Sequence, residues 1–458
     1  MYQDLSFMNV PLPEDVLKLK IYGDYDGAQK MIRYFLEEKD IPQALRKRLE
    51  IEQEVIGVMA GNEYPFTYDE TLEIMTSHLR DFKKEELDYL KEISAADWIY
   101  IDGEVHFQRR FYENLIKTRP DYAKRVIAEN PEDEKQNNLN QNLLNDNIHY
   151  MKEYGGRTVH TRIRSTIKTK KEFEEVGRKV RVYLPIPKVY EQVSNVEIHA
   201  SNPEITYIAP ADAPQRTVYF ETELKENQEF MVDYSFDYYV NYVELDPAKV
   251  SEEQPDFYLE EQAPHIVFTP YLRELRDELA GDETNPVILA RRFYDFVTTK
   301  VMYSFMREYF TIECIPEYCA INLKGDCGVQ ALLFITLCRM SQIPARWQSG
   351  LYVTKYYTGC HDWAQFYVAP YGWVFADPSF GGSAWRAGEK ERWNYYFGNL
   401  DIFRMPANSE IQKEFMPEKK WLRIDPIDNQ RGEFEYEDHG LRFSQVNVSR
   451  ELISMEDI

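Results

Sequence analysis

The stretch Gly325-Asp-Cys-Gly-Val-Gln-Ala-Leu-Leu-Phe-Ile-Thr-Leu-Cys-Arg-Met340 opens on a turn signal and then runs apolar almost all round, with Ser341 and Pro344 just beyond its end. A helix without a polar face has nothing to show to solvent, so this one is expected at the centre of a core. Asp326 is a favoured N-cap residue, which places Cys327 in the first helical turn. There the positive end of the helix dipole favours a thiolate, the form in which cysteine acts as a nucleophile. Cys338, about three turns further on, reads as a small buried hydrophobe, and Cys327 taken alone is open to the same reading.

The residues downstream weigh against that bland reading. Arg346-Trp-Gln-Ser-Gly-Leu-Tyr-Val353 is strand-like. His361-Asp-Trp-Ala-Gln-Phe-Tyr-Val368 alternates, with Ala364, Phe366 and Val368 on one face and His361, Trp363, Gln365 and Tyr367 on the other. The turn Ala369-Pro-Tyr-Gly372 leads into Trp373-Val-Phe-Ala-Asp377, which Pro378 ends. Folded as a hairpin about 369–371, this segment sets Asp377 opposite His361 or Trp363, within the roughly 5–8 Å of direct or diagonal neighbours. The carboxylate can then fix the imidazole tautomer while the other ring nitrogen takes a thiol proton. An isolated His and Asp of this kind is commonly a strand end beside a surface acid. Nucleophile, base and acid in the required order and local context favour catalysis.

Outward from this region the periodicity changes twice. Over 157–245 the period is two, as in Val180-Arg-Val-Tyr-Leu184 and Phe230-Met-Val-Asp-Tyr234, with Pro, Asn and Asp turns between, which predicts a small β-sandwich. Up to 154 apolar residues recur at helical spacing, as in Phe107, Phe111, Leu115 and Ile116, without a fixed repeat, which predicts an irregular all-helical bundle. The polar tract over 136–147 reads as a linker or a weakly held helix. The acidic Ser251-Glu-Glu-Gln-Pro-Asp256 separates the sandwich from a last region, where a helix is expected over 286–298. The expected organisation is a helical domain over 1–154, a β-sandwich over 155–250 and an α+β core over 260–458, completed by the C-terminal tail. Within that tail, residues 423–433 are dense in charge and turn residues and read as a solvated loop or as a segment packed by the active-site rim.

Composition excludes several partners. The chain has 458 residues and a net charge of −24, so nucleic acid and anionic membranes, which need clustered Lys and Arg, are not expected partners. There is no run of ~18 apolar residues, and the start, Met1-Tyr-Gln-Asp-Leu-Ser, lacks a basic, then apolar, leader. A cytoplasmic protein is expected. Its five cysteines are too few and odd in number for a disulfide framework. Cys314, Cys319, Cys327, Cys360 and His361 lack the paired spacing of a structural zinc site, and Asp24-Tyr-Asp-Gly27 lacks the later ligands of a calcium loop and reads as a turn between helices. No metal and no cofactor is expected.

The motifs Gly325-Asp-Cys327, Arg339-Met-Ser-Gln-Ile-Pro-Ala-Arg346, His361-Asp-Trp363 and Asp377-Pro378 together resemble those of the transglutaminase-like superfamily of papain-related thiol enzymes. The likeness covers 265–400 best, and Arg181-Val-Tyr-Leu-Pro-Ile-Pro187 looks like the β-rich module ahead of the core in bacterial relatives. The chain departs from the pattern at Gln342, where glycine is usual, and at Gln365, where glutamate is common and where the change can alter substrate choice. The resemblance implies a multidomain α+β protein with Cys327, His361 and Asp377 as catalytic residues. It also implies an oxyanion hole made by the Cys327 N–H and an upstream side chain, Tyr303 or Asn322. Trp363, on the His361 face, is expected to recognise an apolar or aromatic acyl group or else to belong to the core. The expected activity is hydrolysis of a peptide or small amide through a thioester, the alternatives being an amine-accepting acyltransferase and a catalytically silent binding protein of the same fold.

Overall fold

Every residue of the helix Cys327–Met340 is buried, as its unbroken apolar circumference demands. The computed structural model, which describes residues 5–37, 40–127 and 131–458, places this helix against a five-stranded antiparallel sheet. Across that sheet the order is Phe397–Gly398, Gly372–Ala376, Thr358–Val368, Ala345–Val353 and Arg404–Asn408. Phe334 of the helix meets Phe366 of the middle strand edge to face, with ring centroids 5.6 Å apart. Alternation therefore turns Asp362, Ala364 and Phe366 towards the helix and His361, Trp363 and Gln365 away from it. The helix Pro286–Lys300 covers the expected 286–298 and packs beside the buried helix.

The buried helix ends in a Schellman motif: the Ile343 N–H bonds the Cys338 carbonyl and the Gln342 N–H that of Arg339. Gln342 sits there at φ +59°, in the left-handed region that glycine enters freely. This is the position at which the family pattern has glycine.

The sandwich is made of two four-stranded sheets. One runs Val446–Asp457, Gly156–Thr169, Phe230–Asn241, Val193–Asn202, and the other Glu433–Tyr436, Lys179–Pro185, Thr217–Glu223, Tyr207–Ile208. Here the domain expectation needs correction. Only Arg404–Asn408 of the tail joins the core sheet, and the last two strands return to the sandwich. They pair with strands that would otherwise be sheet edges with unsatisfied N–H and C=O groups.

The N-terminal region is largely helical but not wholly so. The helices Glu14–Ile21, Tyr25–Glu37, Gln43–Val58, Tyr68–His78, Lys84–Glu92 and Phe111–Thr118 surround a three-stranded antiparallel sheet of Phe66–Thr67, Glu104–Phe107 and Trp98–Ile101. The hairpin turns on Asp102-Gly103, both at positive φ, a local signal that helical periodicity overlooked. The suspected calcium loop is a turn between helices, with Asp24 accepting the Gly27 N–H at 2.8 Å. The tract 136–147 lies within the helix Pro131–Tyr154, where Asn140 accepts from the hydroxyls of Tyr352 and Thr354. Residues 1–4, part of the start read for a leader, lie outside the described residues. Among the described residues no helix is long and apolar enough to cross a membrane.

Candidate active site

Cys327 is the first residue of the buried helix, and Asp326 caps it by accepting the Val329 N–H. The residue after the cysteine must be small. A Cβ on Gly328 would lie 2.4 Å from the Tyr309 hydroxyl and 2.9 Å from Asp362 Oδ2. Glycine thus lets Tyr309 and Asp362 close on the helix N-terminus. Tyr309 donates to Asp326 Oδ1 at 2.5 Å, and the Cys327 thiol donates to Asp362 Oδ2 at 3.1 Å. The dipole argument for a depressed thiol is outweighed here. Burial first, and then the carboxyls of Asp362 and Asp326, push Cys327 well above its ordinary value.

On the other side of the strand, His361 Nε2 lies 2.7 Å from Asp377 Oδ2, as the hairpin reading requires. Asp377 is fully buried and caps the helix Pro378–Arg386, its Oδ1 accepting the Phe380 N–H at 2.9 Å. Phe380 in turn packs against the imidazole, tilted by 37° with ring centroids 4.5 Å apart. Arg404 bridges Asp377, at 2.9 Å, to Asp401, at 2.5 Å. Burial acts to raise the Asp377 carboxyl, but His361 and Arg404 hold it below its ordinary value. Burial also lowers His361 in spite of Asp377, which keeps the ring neutral and fit to accept a proton.

Two cavities meet at these groups. One, of about 570 Å³, is lined by His361, Tyr352 and Phe380, and the other, of about 540 Å³, by Cys327, Asp362 and Gln430. Tyr303, Tyr357 and Cys360 line both, so the two cavities share these three residues as a common wall. Among the described residues the thiol's hydrogen bond goes to Asp362, and none joins it to His361.

The remaining expected site residues divide. Tyr303 lies between the cavities, and its phenol is pushed far up by burial first and by Cys327 and Asp326 next, so it stays a hydrogen-bond donor. Asn322 is exposed on the last turn of its helix and donates to Tyr318 O at 2.8 Å, and it lines neither cavity. Trp363 is core: fully buried, it donates to Gln348 Oε1 at 2.6 Å and lines neither cavity. Gln365 is buried too, accepting from Arg346 Nε at 2.9 Å. Glu191 supplies the carboxylate that Arg346 needs, at 2.7 Å, so a neutral residue suffices at 365.

Three neighbours of the candidate site escaped the sequence reading: Arg404, Asp362 and Gln430. Gln430 donates from Nε2 both to His361 O, at 3.0 Å, and to Asp362 Oδ1, at 2.5 Å. It belongs to the charged stretch 423–433, which packs at the rim, with Arg423, Asp428 and Asn429 buried. The density of Arg and Asp there was the available signal. For Arg404 the signal was Asp401 three residues before it.

Residues 273–378 match the Transglutaminase-like superfamily. The chain carries a transglutaminase-like core. With the sandwich and the helical region it forms a multidomain α+β protein built around a fold of the thiol-enzyme type. Among solved structures it is similar to a proposed cysteine protease from Cytophaga hutchinsonii, at 13% identity and TM-score 0.37, over 66% of this chain and 90% of that one. It is also similar to the periplasmic domain of TgpA from Pseudomonas aeruginosa, at 13% identity and TM-score 0.26, over 54% of this chain and 96% of that one. No curated protein matches the sequence.

Proposed function

We propose that the chain is a cysteine-dependent hydrolase of peptide or small amide bonds acting through a thioester acyl-enzyme. The observation that carries this reading is the buried His361–Asp377 pair, 2.7 Å apart, one residue along the strand from Asp362, which holds the helix-start Cys327 thiol at 3.1 Å. In this mechanism His361 takes the Cys327 proton as the thiol attacks the acyl carbon, and returns a proton to the departing amine. Asp377 keeps the imidazole tautomer and stabilises the imidazolium. The Cys327 N–H, at the open end of the helix, and the Tyr303 hydroxyl supply the donors for the tetrahedral oxyanion. Water then cleaves the thioester. It is the second substrate that needs no dedicated acceptor site. Five free cysteines suit a reducing setting for this chemistry.

The test is turnover of a peptide and acyl-amide library by the full chain and by Cys327→Ala. Trimming one sulfur at a helix start leaves the fold intact, so loss of all turnover at unchanged thermal stability is expected. Incorporation of an added amine in place of water would mark a transferase. A Cys327→Ala variant that loses nothing would mark a binding protein.

A further inference from the structure

We propose that Asp362 is a charge gate on the nucleophile: as a carboxylate it holds Cys327 in the thiol form, and as a carboxylic acid it donates to the thiolate. The proposal rests on the reading of Cys327 as nucleophile and adds a group that the cysteine, histidine and aspartate assignment does not use. The exchange conserves one proton and one negative charge. The S–H bond of Cys327 breaks as the O–H bond of Asp362 Oδ2 forms, and the charge moves from carboxylate to sulfur.

The geometry is specific to this chain's residues. The thiol donates to Asp362 Oδ2 at 3.1 Å, and Gly328 leaves the space for that approach. The other oxygen, Oδ1, receives Gln430 Nε2 at 2.5 Å, and the same amide holds His361 O at 3.0 Å. Gln430 thus fixes the carboxyl relative to the histidine backbone, so its direction towards sulfur is set from the C-terminal segment. Asp362 is almost completely buried, and so is the thiol it meets.

The charges facing this pair come from every element around it. The N-cap of the nucleophile helix contributes Asp326, and the segment around the Tyr309–Thr311 turn contributes Tyr303, Arg307, Glu308 and Tyr309. The N-terminal region contributes Arg109 and Arg110, and the residues leading into and along the His361 strand contribute Tyr357 and Cys360. The C-terminal segment contributes Asp425, Asp428 and Arg431, and the last strand Arg450. Neither Arg431 nor Arg450 makes an ion pair with Asp362 among the described residues. Burial first, then Asp428, push the Asp362 carboxyl well above its ordinary value. A thiolate beside an ionised Asp362 is therefore opposed twice, by low dielectric and by like charge, and the two acids lose their protons in succession rather than together.

The experiment is the rate of iodoacetamide alkylation at each cysteine of the full chain, mapped by mass spectrometry between pH 5 and 10, in the wild type, Asp362→Asn and Gln430→Leu. Asp362→Asn keeps the shape and supplies an amide donor without the charge. Its Cys327 profile should move to lower pH by about one unit or more, about tenfold in rate at neutral pH. Gln430→Leu withdraws a donor that stabilises the carboxylate, so its profile should move the same way by less. It also carries the test if Asp362→Asn does not fold. Preferential labelling of Cys327 with one profile in all three proteins overturns the gate and leaves the nucleophile standing. Failure of Cys327 to label ahead of Cys319 and Cys338 in every protein overturns both.

Discussion

His361 and Asp362 are neighbours on one strand, yet the surroundings of their side chains are opposites. Around His361 each charge is met: Asp377 has the imidazole, Arg404 and a backbone N–H, and Arg404 has Asp401 as well. Around Asp362 the acids crowd. Asp326 is pushed up to about 6 by burial, with the Tyr309 hydroxyl acting to lower it. Asp428 is raised as well, by burial first. One side is a satisfied network that fixes geometry. The other keeps raised carboxyls at the helix start, beside the sulfur proposed as nucleophile. Networks of the first kind specify a structure, and clusters of the second kind are what functional sites impose on it.

The sharpest break in this comparison is Asp377→Asn. It preserves shape but lets the imidazole adopt the wrong tautomer, so turnover should fall by up to about 10⁴-fold with some activity left. Full activity in that variant would remove the orienting role. Arg404→Met probes the same network through stability. It leaves Asp377 and Asp401 buried without their cation, and denaturant unfolding should show a loss of about 3–5 kcal/mol. A loss below 1 kcal/mol, on the order of a surface pair, would mean that the charges there are not compensating one another.

On the crowded side the sign reverses. Glu308 lines the Cys327 cavity, and burial, with Glu63 next, pushes its carboxyl up to about 7. A raised folded value means that the stability it contributes is full below the unfolded value and is lost as pH rises through about 7. Glu308→Gln should therefore match the wild type near pH 4 and exceed it by roughly 2–4 kcal/mol at pH 8. Equal pH-stability curves for the two proteins would show that the acid is not strained. The smallest effect belongs to neither side. Gln342→Gly at the far end of the nucleophile helix relieves a left-handed residue and should raise stability by about 1 kcal/mol. Cys327 reactivity should be untouched, so the variant serves as a control for both regions.

Much of the site was legible because its signals are local. The apolar circumference of 327–340, the N-cap Asp326 and the period-two run from His361 depend on residues a few positions apart, as do helical and strand geometry themselves. The hairpin through Ala369-Pro-Tyr-Gly372 is local too, which is why the approach of Asp377 to His361 could be foreseen. Trp363 and Gln365 show the limit. Strand alternation placed them correctly on the His361 face, but it does not say whether that face borders a cleft or a core. Here the sheet continues under the sandwich, and Gln192 and Gln348 close over the indole.

What the sequence by itself determined is the order of the proposed reacting groups and the elements that carry them: a cysteine at a helix start, a histidine on a strand and an aspartate closing the next strand. Tertiary structure alone decided their company. Arg404 reaches Asp377 from a later strand, Gln430 reaches Asp362 from a distant loop, and the last two strands cross back to complete the sandwich. None of these pairings leaves a periodic trace, because each depends on which buried charge or open sheet edge remains to be satisfied once the local elements have packed.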